Sequence, residues 1–260
     1  MRNKLTLPAL TVAVLLMVIG CRKTTDHYSN LNVKDYAMPL QVGRAITYRL
    51  DSLTYYFYGQ LDTVTSYLAK DSIEGTETDN LGRTGFVVER YLNDTTGTGP
   101  WNPTMTYLII PTASTLEVME NNIRFVKLAA PINESNNWNG DAYVPTAPYQ
   151  DNFDYSSNDN KNLSNWDFTY LNVNQHFSIG SGTYDSTVTV LQVNDSSDLP
   201  IFLNPNSFAS KTYWTETYAK NIGMIYRHTE MWEYEPPTAD GSQTSYYIGF
   251  KVTMSMISHN

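Results

Sequence analysis

The most constraining feature of this sequence is a strict alternation of apolar and polar residues close to its end. Over Tyr246–Met256, every second residue from Tyr246 onward is a large apolar or aromatic side chain. The alternating positions from Gly249 to Ser255 are small or polar. Successive side chains of a β-strand point to opposite faces of a sheet, so this period of two predicts a long strand with one buried and one solvated face.

Other strand-like segments are joined by residues that favour turns. Ile222–Trp232 alternates more weakly, and Pro236–Ser242 connects it to the last strand as a predicted hairpin. Tyr55–Lys70 is the best candidate for a helix, but its Thr, Tyr and Val content suits a strand better. The remaining predicted strands are Thr63–Gly75, Gly85–Tyr91, Met105–Ile110, Thr115–Glu120, Ile123–Leu128, Trp166–Ile179 and Thr183–Val193.

This succession of hairpins predicts an all-β fold. We expect residues 42–260 to form a single domain, an antiparallel meander that builds a strongly curved sheet or a partly open barrel. The segment Asp151–Asn165 is rich in Asn, Asp and Ser, and we expect it to be an exposed loop.

The first twenty residues have the layout of a secretory signal. Arg2 and Lys4 precede the apolar stretch Leu5–Ile19, which is shorter than the roughly 20 residues of a membrane-spanning helix. Val18–Cys21 resembles the lipobox of bacterial lipoproteins, in which the cysteine receives a diacylglycerol group and the chain is cleaved just before it. We therefore predict a signal peptide over 1–20 and a lipidated tether over 21–41.

Cys21 is the only cysteine of the chain, so no disulfide can form within it. The resemblance to a lipobox implies palmitate or similar acyl chains on this residue. Two or three such chains hold a protein stably at a membrane, whereas a single chain gives marginal binding. The alternative is an ordinary signal in which the cysteine is incidental.

The charge of the chain excludes some partners. Removal of residues 1–20 lowers the number of basic residues from 17 to 15 against 26 acidic ones, which changes the net charge from −9 to −11. A chain this acidic is not suited to bind nucleic acid or anionic lipid head groups.

Several stretches resemble a family of Bacteroidota lipoproteins that has no assigned activity. The strongest is Tyr218–Arg227, which reads Tyr-Ala-Lys-Asn-Ile-Gly-Met-Ile-Tyr-Arg and leads to Trp232–Tyr234. The resemblance covers most of the mature chain and implies no catalytic or binding residue. The other matching stretches are Met38–Gly43, Tyr48–Ser52, Asn121–Leu128, Asn137–Gly140 and Trp166–Tyr170.

No signature of an enzyme occurs in the sequence. The motifs G-x-S-x-G, H-E-x-x-H and C-x-x-C are absent, and acylation would consume Cys21. Only His176 or His228 could serve a catalytic triad, and no neighbouring residue supports either. We expect a non-enzymatic protein with no cofactor and no metal.

Some acidic residues could form a metal site or a sugar-binding site. His228 and Glu230 share a strand face and could form half of a zinc site, although a polar patch is the more common arrangement. Glu230, Glu233 and Glu235 surround Trp232 either as a sugar subsite or, as we favour, as charges on a strand edge. Segment 151–165 offers oxygen ligands for calcium but lacks the EF-hand order, and we favour a solvated loop.

Aromatic residues are abundant, with 20 Tyr, 9 Phe and 5 Trp. They could stack on sugars or hold an apolar ligand, but aromatic side chains also favour strands because they fit a half-buried pleated surface. Two groups stand out, Tyr48, Tyr55, Tyr56 and Tyr58 in one region and Tyr213, Trp214 and Tyr218 in another.

A further pattern resembles the Asp-(Ser/Thr)-apolar acceptor for O-glycosylation in exported Bacteroidota proteins. Ordinary strand-edge chemistry is the alternative explanation. The candidate acceptors are Ser52, Thr63, Ser72, Thr95 and Ser186.

Together these features predict a membrane-anchored lipoprotein of the cell envelope that binds a partner or a hydrophobic ligand. The alternative is a glycan-binding accessory lipoprotein that uses exposed aromatic residues. Arg22 and Lys23 follow Cys21 without the acidic run of a surface-export signal, so we expect the periplasmic face of the outer membrane. The sequence leaves open whether the ligand is a protein, a lipid or a glycan.

Overall fold

The computed structural model describes residues 31–260, apart from the side chains of residues 158 and 159. Twelve strands form one antiparallel sheet. The strands are β1 (Ala45–Tyr56), β2 (Leu61–Thr78), β3 (Thr84–Asn93), β4 (Asn102–Pro111), β5 (Thr115–Glu120), β6 (Ile123–Ala129), β7 (Asn137–Asn139), β8 (Asp167–Ile179), β9 (Gly182–Ser197), β10 (Ala209–Ala219), β11 (Gly223–Glu235) and β12 (Tyr246–His259).

Helical structure in the described part of the chain is limited to single turns. α1 spans Asn158–Lys161, and 3-10 turns lie at Val33–Tyr36, Leu163–Asn165 and Ile201–Leu203. Within residues 31–260, no helix has the length and apolar character needed to cross a membrane.

The first and last strands pair with each other in the middle of the sheet. The strand order is β6-β5-β4-β3-β2-β1-β12-β11-β10-β9-β8-β7, so β6 and β7 are the two edges. Two hydrogen bonds join these edges. The Val126 amide in β6 donates to the carbonyl of Gly140, which follows β7, at 2.8 Å, and Trp138 Nε1 in β7 donates to the Val126 carbonyl at 2.7 Å. The predicted all-β, single-domain meander that forms a strongly curved, nearly closed sheet is confirmed.

Local sequence signals account for much of this architecture. In β12 the alternating residues Phe250, Val252 and Met254 line the interior of the curved sheet. Asn121 and Asn122 both have positive φ values, 52° and 61°, and form the tight turn between β5 and β6. Asparagine tolerates this left-handed conformation better than most residues do, and two-residue hairpin turns require it.

The folded domain begins earlier than the sequence suggests. The predicted tether over 21–41, which the polar stretch Arg22–Leu40 indicated, is wrong for its second half, because Val33, Tyr36 and Met38 are buried in the core. The backbone of Asn221 also donates to the carbonyl of Asp35 at 2.6 Å. Residues 33–38 escaped detection because their few apolar side chains follow no strand or helix period. The predicted signal peptide over 1–20 and residues 21–30 of the predicted tether lie outside the described residues.

Segment 151–165 also differs from its prediction as an exposed loop. Tyr155 and Leu163 are fully buried, and the Tyr155 hydroxyl donates to the carbonyl of Met231 at 3.1 Å. The segment crosses the concave side of the sheet, where Phe153 stacks on Phe250 with ring centroids 5.5 Å apart. The polar residues that suggested an exposed loop instead contribute donors to a buried carboxylate.

Candidate functional site

Two concave regions could hold a ligand, and the first is a chamber inside the curved sheet. It encloses about 520 Å³. Phe250, Val252 and Met254 form an apolar wall, whereas Lys127 and Glu216 belong to a charged wall. A volume of this size lies in the range of about 300–1,000 Å³ that small-molecule sites occupy.

The charged wall of the chamber is a connected network centred on Glu216. Its carboxylate accepts hydrogen bonds from Lys127 Nζ at 2.9 Å, from Arg227 Nε at 2.8 Å and from the Tyr218 hydroxyl. Burial would raise the pKa of Glu216, but the two cations outweigh that effect and lower it to about 2. The network therefore carries compensating charges before any ligand arrives.

A second buried pair lies further along the same interior. Arg90 binds the carboxylate of Asp71 through Nε and a terminal nitrogen, each at 2.6 Å. The Tyr107 hydroxyl donates to the same carboxylate at 2.9 Å. Two parallel bonds of this kind fix both side chains, so these groups hold β2, β3 and β4 together.

Asp141 is the exception among the buried acids. It is fully buried, and neither carboxylate oxygen has a hydrogen-bond partner. Burial raises the pKa of Asp141 to about 7, despite the opposing charge of Lys127. The neutral acid is therefore the stable form of this side chain in mildly acidic solution.

The second concave region lies at the end of the sheet where β1 turns into β2, and we call it the aromatic end. A hollow of about 530 Å³ is bordered there by Tyr56, Tyr58 and Tyr246, together with Gln60 and Thr244. The turn is held against β12, because the Tyr247 amide donates to the carbonyl of Gly59 at 2.8 Å. This bond joins the β1–β2 turn to the first residues of β12, which form the other side of the hollow.

Only glycine fits at the turn that builds this hollow. Gly59 has a φ of +75°, and a Cβ atom there would lie 2.2 Å from the Tyr247 carbonyl oxygen. A left-handed conformation and a close backbone approach are the two conditions that favour glycine over every other residue. The strand register and this glycine together place the tyrosines.

A second hollow of about 390 Å³ adjoins the first at the aromatic end. The stacked rings of Tyr55 and Tyr247, 5.1 Å apart and 9° from parallel, border both hollows. Trp232 meets the Tyr247 ring at 69°, and Glu230 and Asp62 supply carboxylates to this hollow. Aromatic faces and polar groups therefore share one continuous surface.

Apolar side chains around the aromatic end are exposed to solvent. Tyr58 is 88% exposed and Phe57 is 63% exposed. Ile201 borders the second hollow, and the next two residues, Phe202 and Leu203, are 78% and 72% exposed. Clustered exposure of large apolar groups is uncommon on soluble proteins and marks surfaces that bind something.

The structure separates the acidic residues that the sequence grouped around Trp232. Glu230 accepts hydrogen bonds from His228 at 3.1 Å and Trp232 at 2.8 Å, and pairs with Lys211 at 2.9 Å. Burial would raise the pKa of Glu230, but these three contacts outweigh it and lower the pKa to about 2. The predicted polar patch of His228 and Glu230 is thus present on the outer face.

Glu233 lies on the concave side instead. It is fully buried and accepts hydrogen bonds from both the backbone and the hydroxyl of Ser156, from the Ser157 backbone and from the Asn160 side chain. The prediction that these glutamates protect a strand edge is wrong, because β11 is paired on both sides by β10 and β12. Glu233 anchors segment 151–165 to the sheet.

The structure describes no group of three or more His, Cys, Asp or Glu side chains that could hold a metal ion. This finding covers the described side chains of residues 31–260, which include His228 and Glu230 and the segment 151–165 apart from residues 158 and 159. His176 pairs with Asp185 at the surface, where both side chains are 76% exposed.

The predicted modification sites fall into two groups. Cys21 lies outside the described residues. Among the candidate O-glycan acceptors, Thr63 and Thr95 are exposed, whereas Ser52, Ser72 and Ser186 are half-buried.

The two aromatic groups in the sequence are also divided. Tyr55, Tyr56 and Tyr58 lie at the aromatic end, but Tyr48 is buried and donates to the Met224 carbonyl at 2.9 Å. In the second group, Trp214 and Tyr218 are buried in the core, whereas Tyr213 packs beside His228.

Sequence reasoning missed part of the aromatic end. Tyr247, Phe153 and Phe202 were not grouped with the tyrosines of β1. The doublets Tyr55-Tyr56 and Tyr246-Tyr247 were the available signal, since adjacent aromatic residues on a strand leave one ring on each face. That these doublets meet follows only from the pairing of β1 with β12.

Comparisons with known proteins assign no function. No family model and no curated protein matches the chain. Among solved structures, the chain is similar to a Bacteroides fragilis protein inferred to be exported and described as having a YmcC-like fold. The TM-score is 0.40 at 12% identity, over 86% of this chain and 99% of the other. This likeness is too weak to transfer a property to the present chain.

Proposed function

We propose that this protein is a non-enzymatic lipoprotein of the cell envelope that binds its partner or ligand through the aromatic end. The observation that carries the proposal is that two adjoining hollows are lined by exposed apolar side chains, namely Tyr56, Tyr58 and Leu61. Burying a large apolar side chain contributes about 1.5–3 kcal/mol, so leaving Tyr58 and Phe202 in water forgoes stability that folding could have gained. A bound partner would recover it.

The chamber is a weaker candidate for the binding site. Its cations Lys127 and Arg227 are already paired with Glu216, and Arg90 is paired with Asp71. A ligand that entered would have to displace these contacts or leave them intact and use only the apolar wall. A ligand at the aromatic end would not have to displace ion pairs, because the apolar surfaces there face solvent.

Anchoring through Cys21 is part of the proposal. The Val18–Cys21 pattern and the absence of a second cysteine support acylation. We place the protein at the outer membrane facing the periplasm, since no acidic run follows the cysteine. Metabolic labelling with a palmitate analogue should label the wild-type chain but not Cys21→Ser, and labelling of both would refute the anchor. Protease shaving of intact cells should leave the protein uncut if it faces the periplasm.

Binding through the aromatic end can be tested with a chain that carries Cys21→Ser and is produced without residues 1–20, so that it has neither the lipid anchor nor the apolar signal segment. The chain is immobilised and exposed separately to envelope lipid extract, envelope polysaccharide and a long-chain fatty acid. We expect at least one probe to bind, with weaker binding by Tyr58→Ser. Tyr143→Ser is the matched control, because Tyr143 is 64% exposed but lines neither hollow. Equal binding by both variants would contradict the proposal.

A further inference from the structure

The polar composition of the two hollows narrows the ligand class. In the first hollow, Gln60, Gln243 and Thr244 lie among the tyrosines, and Gln60 Nε2 donates to Thr244 Oγ1 at 2.7 Å. In the second, Asp62 and Glu230 lie beside Trp232. A purely apolar ligand would bury the Gln243 amide and the Asp62 carboxylate without giving them hydrogen bonds, which is unfavourable.

Charge excludes a second class of ligand. Among the described residues that line the two hollows there is no lysine or arginine, and the carboxylates there are Asp62 and Glu230. Glu230 is already paired with Lys211. Anionic lipid head groups, phosphorylated ligands and acidic polysaccharides would therefore meet the carboxylate of Asp62 and find no free cation in the lining. The ligand should therefore be neutral.

The aromatic end is distant from the point where the described chain enters the sheet. Met38 packs against Gly223 at the start of β11. Glu230 and Trp232, which border the second hollow, lie in the second half of the same strand. The segment that leads into the fold therefore leaves the aromatic end uncovered.

We propose that the aromatic end is a binding site for a neutral saccharide, a proposal that rests on the function proposed above. Sugar rings present apolar C–H faces that stack on tyrosine and tryptophan rings, and hydroxyl groups that exchange hydrogen bonds with amides and carboxylates. Tyr55 and Tyr247 form a shared wall between the hollows, and the exposed rings of Tyr56 and Tyr58 extend the surface. Two adjoining hollows suit at least two successive sugar units.

The test is affinity electrophoresis of the Cys21→Ser chain through gels that contain single polysaccharides, complemented by a glycan array. The gels contain neutral glucans, mannans and xylans, with alginate as an acidic control. Vesicles of phosphatidylethanolamine and phosphatidylglycerol and a long-chain fatty acid are tested in parallel by co-sedimentation and fluorescence. Variants are Tyr56→Ser, Tyr58→Ser and the control Tyr143→Ser.

We expect retardation by a neutral polysaccharide and not by alginate. Loss of one stacking ring should raise the dissociation constant about two- to tenfold in Tyr56→Ser and Tyr58→Ser but leave Tyr143→Ser unchanged. Because Tyr58 is 88% exposed, its replacement should not prevent folding, which circular dichroism would verify.

The other outcomes separate the two proposals. If vesicles or the fatty acid bind and Tyr58→Ser weakens that binding, the saccharide class is wrong while binding through the aromatic end stands. If no probe binds in a manner that depends on Tyr56 or Tyr58, both proposals fail. Equal retardation by alginate and neutral glycans would overturn the inferred preference for neutral ligands.

Discussion

The chamber and the aromatic end are both concave, but they differ in which side chains are buried and which are exposed. Inside the chamber, charged side chains are buried and paired with one another, as Lys127 and Arg227 are with Glu216. At the aromatic end, apolar side chains such as Tyr58 and Phe202 are exposed. These charged groups of the chamber have partners within the chain, whereas the exposed rings of the aromatic end face solvent.

This difference indicates that the two regions serve different purposes. Buried charges that compensate one another hold distant strands in register, and their removal should affect folding first. Exposed apolar groups contribute little to folding, and their removal should affect binding first. The comparison yields four predictions about stability, ordered by the size of the expected effect.

The largest effect should come from Glu216→Gln. This variant leaves the buried Lys127 and the half-buried Arg227 without their shared counter-charge, and breaking a buried pair from one side typically costs about 3–5 kcal/mol. We expect the free energy of unfolding in urea to fall by that amount. The control is Glu77→Gln on the exposed part of β2, which should change stability by less than about 0.5 kcal/mol. Equal losses in the two variants would remove the distinction between the regions.

The next largest effect should come from Asp141→Asn, and it should stabilise the protein. The pKa of Asp141 is raised by burial from 3.8 to about 7, so the folded state holds a proton that the unfolded state releases. Wild-type stability should therefore decline as the pH rises from about 4 to 7, by up to about 4 kcal/mol. Asparagine has no carboxyl group to titrate, so the stability of the variant should not decline in this pH range.

Unfolding of both proteins in urea at pH 5 and pH 8 measures the effect of Asp141. The two stabilities should lie closer together at pH 5, and Asp141→Asn should be more stable at pH 8. A difference between the two proteins that does not depend on pH would mean that Asp141 does not titrate in this range.

Prediction from sequence succeeded where the signal is local. The alternation in β12 fixed the interior positions of Phe250 and Val252, and the Asn121-Asn122 pair specified a hairpin turn. The strand β10 was missed because the alternation there places Glu216, a charged residue, on the interior face. Its partner Lys127 is 89 residues away, so no local pattern reveals that this glutamate is compensated.

The same reason explains why the candidate site was only partly predicted. Segment 151–165 is polar because Ser156, Ser157 and Asn160 bond to Glu233, which is more than 70 residues away. The aromatic end needs β1 and β12, the first and last strands, to be neighbours. Composition indicated an excess of tyrosine, but only the strand pairing decides which tyrosines meet.

A moderate effect should follow from Glu233→Gln. The variant keeps the shape but turns an acceptor-only carboxylate into an amide, which places a donor against the donors of segment 151–165. We expect a loss of about 1–3 kcal/mol, the cost of leaving a buried donor unsatisfied. Hydrogen exchange should rise in residues 151–160 more than in β11 itself. Uniform exchange throughout the sheet would indicate global rather than local loosening.

The smallest effect on stability should come from Tyr58→Ser, and this result would sharpen the comparison most. A side chain that is 88% exposed makes few contacts, so the free energy of unfolding should change by less than about 0.5 kcal/mol. A loss above 1 kcal/mol, measured by urea unfolding, would mean that Tyr58 packs as part of the fold. Unchanged stability together with lost binding would show that the chain maintains this exposed ring for recognition, in contrast to the buried charges of the chamber.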